Sequence, residues 1–83
     1  SKGKIVTLTV SVENFPGILA GIIQSIAFAK GNILTINQNI PINGLADISI
    51  SMETDRMTRS IDLLVTDVQK IPGVRSCRIM ARE

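Results

Sequence analysis

Asn14, Pro16 and Gly17, followed further along by Asn32 and Gln38, are the residues whose types and spacing could do chemistry. Glu13-Asn14-Phe15-Pro16-Gly17-Ile18-Leu19 separates a segment that alternates like a strand from one that repeats like a helix. Asn32 comes thirteen residues beyond Leu19, and with Ile33 it opens the next strand-like segment. A helix starting at Pro16-Gly17 leaves its first backbone N–H groups without intrahelical partners. With the positive end of the helix dipole, the N–H groups near Gly17 and Ile18 form a seat for a carboxylate. Gly17, lacking a side chain, permits close approach to that backbone. The side-chain oxygens of Asn14, Asn32 or Gln38 can accept from an ammonium group. Donors for a carboxylate and acceptors for an ammonium are what a zwitterion needs. Each residue also has a plain structural role. Asn14 can cap a helix, Asn32 can serve the turn after Gly31, and Gln38 can be an ordinary polar strand residue.

The rest of the composition removes other chemistries. The chain has 83 residues, no His and one Cys. Zinc sites of the Cys/His type, a Cys-x-x-Cys metal loop, and Ser/His or Cys/His nucleophiles therefore cannot be built. Gly-rich phosphate loops are absent. No metal, cofactor or catalytic residue is expected. The carboxylates Glu13, Asp47, Glu53, Asp55, Asp62, Asp67 and Glu83 show no pairing pattern. A net charge of +2 with interspersed signs gives no reason to expect a polyanionic partner. Arg75, Arg78 and Arg82 form the one basic cluster and read as guards of a sheet edge. Cys77 reads as a small buried hydrophobe. No apolar run approaches the ~18 residues of a membrane span, and no signal-peptide pattern opens the chain. The expected compartment is the cytoplasm, with no membrane partner.

The elements that must position these residues follow from periodicity. Lys4 to Val12 alternates, with Val6, Leu8, Val10 and Val12 on one face. Pro16 to Ala29 reads as a helix with Leu19, Ile22, Ile23 and Ile26 as its apolar stripe. Lys30-Gly31 supplies its stop, and Gly21 inside it implies close packing. Asn32 to Ile40 and Leu45 to Glu53 are strands joined through Pro41-Ile42-Asn43-Gly44, where Asn-Gly predicts a tight hairpin. Thr54 or Asp55 can cap a second helix carrying Met57, Ile61, Leu64, Val65, Val68 and Ile71. Pro72-Gly73 ends it, and Val74 to Ala81 is the last strand, with Cys77 and Ile79 inward. The order β-α-β-β-α-β predicts one α+β domain over residues 4–82. It is a ferredoxin-like two-layer sandwich with both helices on one face of a four-stranded antiparallel sheet. The other face carries Thr7, Thr9, Ser11, Thr35, Asn37, Asn39, Ser49 and Ser51. The RNA-recognition motif shares this order but stacks bases on sheet aromatics, and neither Phe15 nor Phe28 lies in a strand, so no nucleic acid is expected.

Across nearly its whole length the chain resembles the ACT domain, a regulatory module that binds amino acids. Asn14-x-Pro16-Gly17-x-Leu19 matches that family's Asp/Asn-x-Pro-Gly-x-Leu pattern, and Asn32-Ile33 its second-strand start. Ile71-Pro72-Gly73-Val74 is similar to the ending of the second helix in phosphoglycerate dehydrogenase ACT domains. Gly31 through Pro41 is similar to stand-alone ACT proteins linked to phenylalanine biosynthesis. The resemblance implies a non-enzymatic homodimer that binds a small amino acid at its interface and regulates an attached or partner enzyme of amino-acid metabolism. It implies Asn14, Phe15, Pro16, Gly17, Ile18, Asn32 and Gln38 as ligand-binding, with Asn14 from one chain and Asn32 from the other. Gln38 matches a ligand-contacting position of aspartokinase-like members. Serine-binding members carry a His two residues before the turn Asn. Val12 stands there, which puts serine in doubt; the ligand the resemblance implies is a small amino acid, phenylalanine or another hydrophobic one. The alternative is a purely structural dimerisation module with a degenerate site. Stand-alone relatives have also carried chorismate mutase labels, but Arg75, Arg78 and Arg82 show no convergence with Glu13 or Glu53 that such a reaction would need.

Overall fold

The computed structural model describes residues 4–14, 16–39 and 41–83. Six elements follow one another: β1 (Ile5–Glu13), α1 (Ile18–Phe28), β2 (Asn32–Gln38), β3 (Leu45–Glu53), α2 (Ile61–Gln69) and β4 (Val74–Arg82). The strands form one antiparallel sheet in the order β2-β3-β1-β4. This is the expected βαββαβ two-layer sandwich.

The alternation in β1 and β3 does what period two requires. Val6, Leu8, Val10 and Val12 lie opposite Met52, Ile50, Ile48 and Ala46, and all eight are buried. Ile18, Ile22, Ile26 and Ala29 from the first helix, and Leu64 and Val68 from the second, close over them. Cys77 joins this core and Ile79 packs at its margin. The chain's first and last described strands also meet at one end. Ile5 N–H donates to the Glu83 carbonyl at 3.2 Å and Glu83 N–H to the Ile5 carbonyl at 2.8 Å. Among the described residues, no helix is long and apolar enough to cross a membrane.

The hairpin is the one the Asn-Gly pair predicts. Asn43 and Gly44 both take positive φ, 52° and 76°. Ile42 and Leu45 exchange both backbone hydrogen bonds, at 2.9 and 3.0 Å, as a two-residue I′-type turn demands.

The differences from the sequence reading that bear on the site lie at the ends of the elements. α1 starts at Ile18 rather than Pro16, because Pro16-Gly17 forms a turn in which Gly17 takes φ 88°. Asn14 is therefore not its cap. At the other end the left-handed residue is Lys30, φ 64°, and not Gly31. Gly31 is required for space instead: a Cβ there would sit 2.9 Å from Ile26 Cγ2 and 3.2 Å from Met52 Sδ. β2 ends at Gln38, so the expected strand stops short of Asn39, and Ile40 lies outside the described residues. α2 begins at Ile61, capped by Ser60 rather than Thr54 or Asp55. Tertiary backbone bonds hold residues 54–60 out of the helix: Thr54 N–H to Lys4 C=O at 2.9 Å and Thr58 N–H to Ala29 C=O at 3.1 Å. Arg59 pins the same segment to Asp67 through two hydrogen bonds of 2.6 and 2.9 Å. Met57 still packs against the core, from a loop.

Candidate functional site

The strand-to-helix turn after β1 is built by three glycine-bearing loops at one end of the sheet. Asn14 N–H donates to the Gly44 carbonyl at 2.8 Å, tying it to the hairpin turn. Glu13 N–H donates to the Gly73 carbonyl at 2.7 Å, tying it to the loop before β4. Between these anchors the Asn14 side chain, Pro16 and Gly17 are exposed. α1 then starts with no side-chain cap, Gly17 standing at its N-cap. Its first N–H groups keep their donor capacity, and the helix dipole adds partial positive charge there. No atom lies within 4 Å of where a Gly17 Cβ would be, so the space in front of these donors is open.

The predicted set divides on this geometry. Asn14, Pro16 and Gly17 form the exposed corner. Ile18 contributes only its backbone, because its side chain is buried in the core. Phe15 lies outside the described residues. Gln38 is exposed on the edge strand, opposite Ile48 and therefore on the helix side of the pleat.

Asn32 is at the other end. It pairs with Glu53, which in turn pairs with Ile5, whereas Glu13, the neighbour of Asn14, pairs with Leu45. Eight residue steps separate those two rungs, roughly 27 Å at ~3.4 Å per step. One chain does not bring Asn14 and Asn32 to one ligand.

Asn32 has a partner that its sequence neighbourhood did not announce. Its Nδ2 donates to Glu53 Oε1 at 2.7 Å. The two lie beside Lys30, Asp55 and Arg56 around an open cavity of about 520 Å³. Two cations, two carboxylates and an amide suit a doubly charged ligand better than an apolar one. The cross-strand contact depends on register, so no local motif could have revealed it.

Three titratable groups are shifted, among them Arg59, whose guanidinium pKa is raised by its hydrogen bond to Asp67. The Arg59 guanidinium holds the Asp67 carboxyl below its ordinary range by hydrogen bonding. Burial pushes the Cys77 thiol up to about 11, which keeps it protonated and unreactive at neutral pH.

Comparison with known proteins gives a consistent picture. The profile of the ACT domain matches residues 2–78. An ACT domain-containing protein of Acetivibrio thermocellus is 55% identical over 83 residues, covering all of this chain and 56% of that protein. Another, from Caldicellulosiruptor saccharolyticus, is 43% identical and likewise covers all of this chain and 55% of its own length. The chain thus spans a little over half the length of these relatives. Among solved structures, the ACT domain of the GTP pyrophosphokinase of Chlorobium tepidum superposes with a TM-score of 0.75. It is 17% identical, over 95% of this chain and 100% of that one. The C-terminal domain of the MgtC protein from Mycobacterium tuberculosis gives 0.74 at 12% identity, over 93% of this chain and 85% of that one.

Proposed function

This chain belongs to the ACT domain family, and from that premise we propose that it is a non-catalytic regulatory domain. In this reading it pairs with a second copy, binds a small amino acid between the two, and thereby controls an attached or partner enzyme of amino-acid metabolism. The observation that carries the reading is the separation of Asn14 from Asn32 along the sheet. A twofold copy joined antiparallel along β2 sets the Asn32 end of one protomer beside the Gln38 end of the other. That is the end at which the Asn14 turn sits. The carboxylate then meets the free N–H groups after Gly17, and the ammonium meets Asn14 and the Asn32–Glu53 pair of the other copy.

The β2 edge supports such pairing. Its seven residues carry no charge and no proline, and Leu34 and Ile36 stand exposed on it. An edge of that kind offers unpaired N–H and C=O groups to another strand. A ligand seated across two protomers favours one arrangement of the pair over others, which is the difference in affinity that regulation requires. The apolar residues near the edge suit phenylalanine or another hydrophobic amino acid.

The test is sedimentation and thermal unfolding with each of the twenty amino acids in turn. A ligand of the folded dimer raises the melting temperature by mass action. One responder that loses its effect in Asn14→Ala upholds the reading. A dimer insensitive to all twenty supports a structural dimerisation module instead, and a monomer unaffected by any amino acid overturns both.

A further inference from the structure

The end of the sheet where Ile5 and Glu83 pair carries a cavity that takes no part in the site at Asn14. It opens on the helix side, between the start of β1, the end of β4 and the 54–60 loop, and holds about 510 Å³. That is the size of a small-molecule site. Its floor is apolar. Val6 is 4% exposed, Met57 packs on the core from the loop, and Ile61 is the first residue of α2. Its wall is fixed in advance, because the bonds from Thr54 to Lys4, from Thr58 to Ala29 and from Arg59 to Asp67 hold the loop. A preformed wall spares a ligand the cost of ordering it.

Charge around this floor is mostly of one sign. Lys4, Arg59 and Arg82 line the cavity against a single carboxylate, Glu83. Lys4 has no ion pair among the described residues. Arg82 reaches Asp62 only at 3.8 Å, with both side chains largely in solvent, a contact that contributes little. Arg59 gives Nε and Nη2 to Asp67 and keeps the donors of Nη1. The hydroxyls of Thr58 and Ser60 stand in the same lining. Ser60 Oγ accepts the Leu63 N–H at 3.2 Å and so has its own hydrogen to donate elsewhere.

Like charges above one apolar floor are satisfied by a shared counterion that carries an apolar body. We infer that this cavity binds an organic anion with a single carboxylate or phosphate head, an apolar body and no ammonium group. The head meets Lys4 and Arg82, and the body lies on Val6, Met57 and Ile61. Arg presents paired N–H donors that match either head, Lys adds a point charge, and both contacts are charge-assisted. The body gains by leaving water for the floor. An added ammonium faces the excess of cations, so a zwitterion is the poorer ligand. The cavity lies within one protomer at the opposite end of β1 from Asn14, so it needs no second copy and does not depend on the site there.

The experiment is a titration of the isotope-labelled protein with hydrocinnamate and, separately, with phenyl phosphate, followed by amide chemical shifts. The expected result is movement of the amides of Val6, Met57 to Ile61 and Arg82 as one saturable group, and the tighter of the two anions identifies the head. Hydrocinnamamide, which lacks the charge, and phenylalanine, which adds an ammonium, bind there at least about tenfold more weakly. Lys4→Gln and Arg82→Gln each weaken the anion's binding about tenfold, with the rest of the spectrum in place to show that the fold survives. The inference fails if these amides stay still at tens of millimolar of both anions. It also fails if hydrocinnamamide or phenylalanine binds there as tightly as the anion, or if either variant binds the anion unchanged.

Discussion

The two edges of this sheet are built on opposite principles. β4 carries Arg75, Arg78 and Arg82, is bulged twice against β1 and packs under α2. Charge and irregular pairing are the means by which an edge strand refuses a neighbour. β2 carries only Asn, Gln, Thr, Ile and Leu, is exposed at six of its seven positions, and keeps Leu34 and Ile36 in water. The same physics that guards one edge is missing from the other. The lesson is that the free edges of a small sheet need not be equivalent, and that the unguarded one is where association should be sought.

The largest effect should come from charging that seam. Thr35 is the midpoint of β2, so in the proposed antiparallel β2–β2 dimer Thr35→Lys would place two like charges across the twofold axis. The expected outcome in sedimentation is a monomer, with far-ultraviolet circular dichroism unchanged. The reciprocal change on the guarded edge, Arg78→Thr, should leave the association state as it was. If instead Arg78→Thr dissociates the protein and Thr35→Lys does not, the roles of the edges are reversed.

Next in size is Gly31→Ala, at the hand-over from α1 into β2. The new methyl would press on the β-branched Ile26 at 2.9 Å, a stiff neighbour. Denaturant unfolding should show a loss of about 1–3 kcal/mol. An unchanged midpoint would mean that β2 can shift away from the helix at little cost. Gly21→Ala should act oppositely. Its Cβ would lie at an ordinary 3.6 Å from Ile71, so the gain in helix propensity, roughly 0.5–1 kcal/mol, should appear as added stability. That variant improves the helical layer without touching either edge, so dimerisation should not follow it.

The smallest effect concerns pH. Asp67 has its folded pKa lowered from 3.8 by Arg59, so the stability it contributes is present above that value. It is lost as pH falls through the lowered folded pKa. Arg59→Gln should therefore lower the melting temperature near neutrality, and the gap from wild type should close as acid protonates Asp67. A gap that persists in strong acid would show that Arg59 acts through packing of the 54–60 loop and not through the ion pair.

Much of this fold is legible in the sequence because β1, β3 and the Asn43-Gly44 turn obey local rules. Alternation fixes which side of each strand is buried, and the turn fixes β2 as the partner of β3. The helix starts are less legible because distant backbone groups decide them. Ala29 takes the Thr58 N–H, and the second helix begins at Ser60. The Gly31 requirement comes from Met52 and Ile26, on other elements. At the candidate site, the Asn14-to-Gly17 turn is visible as a motif. The Asn32–Glu53 bond depends on strand register, which no short stretch of sequence contains.

The reciprocal bonds between Ile5 and Glu83 set how this domain answers force. Both ends of the β1–β4 ladder's first rung are at the same end of the sheet, and the bonds between antiparallel strands lie perpendicular to them. Tension applied at those two residues loads the rungs one after another, as in opening a zip, rather than shearing them together. Such a domain yields to a gentle pull along its own chain while β2 and β3, carrying none of that load, stay joined.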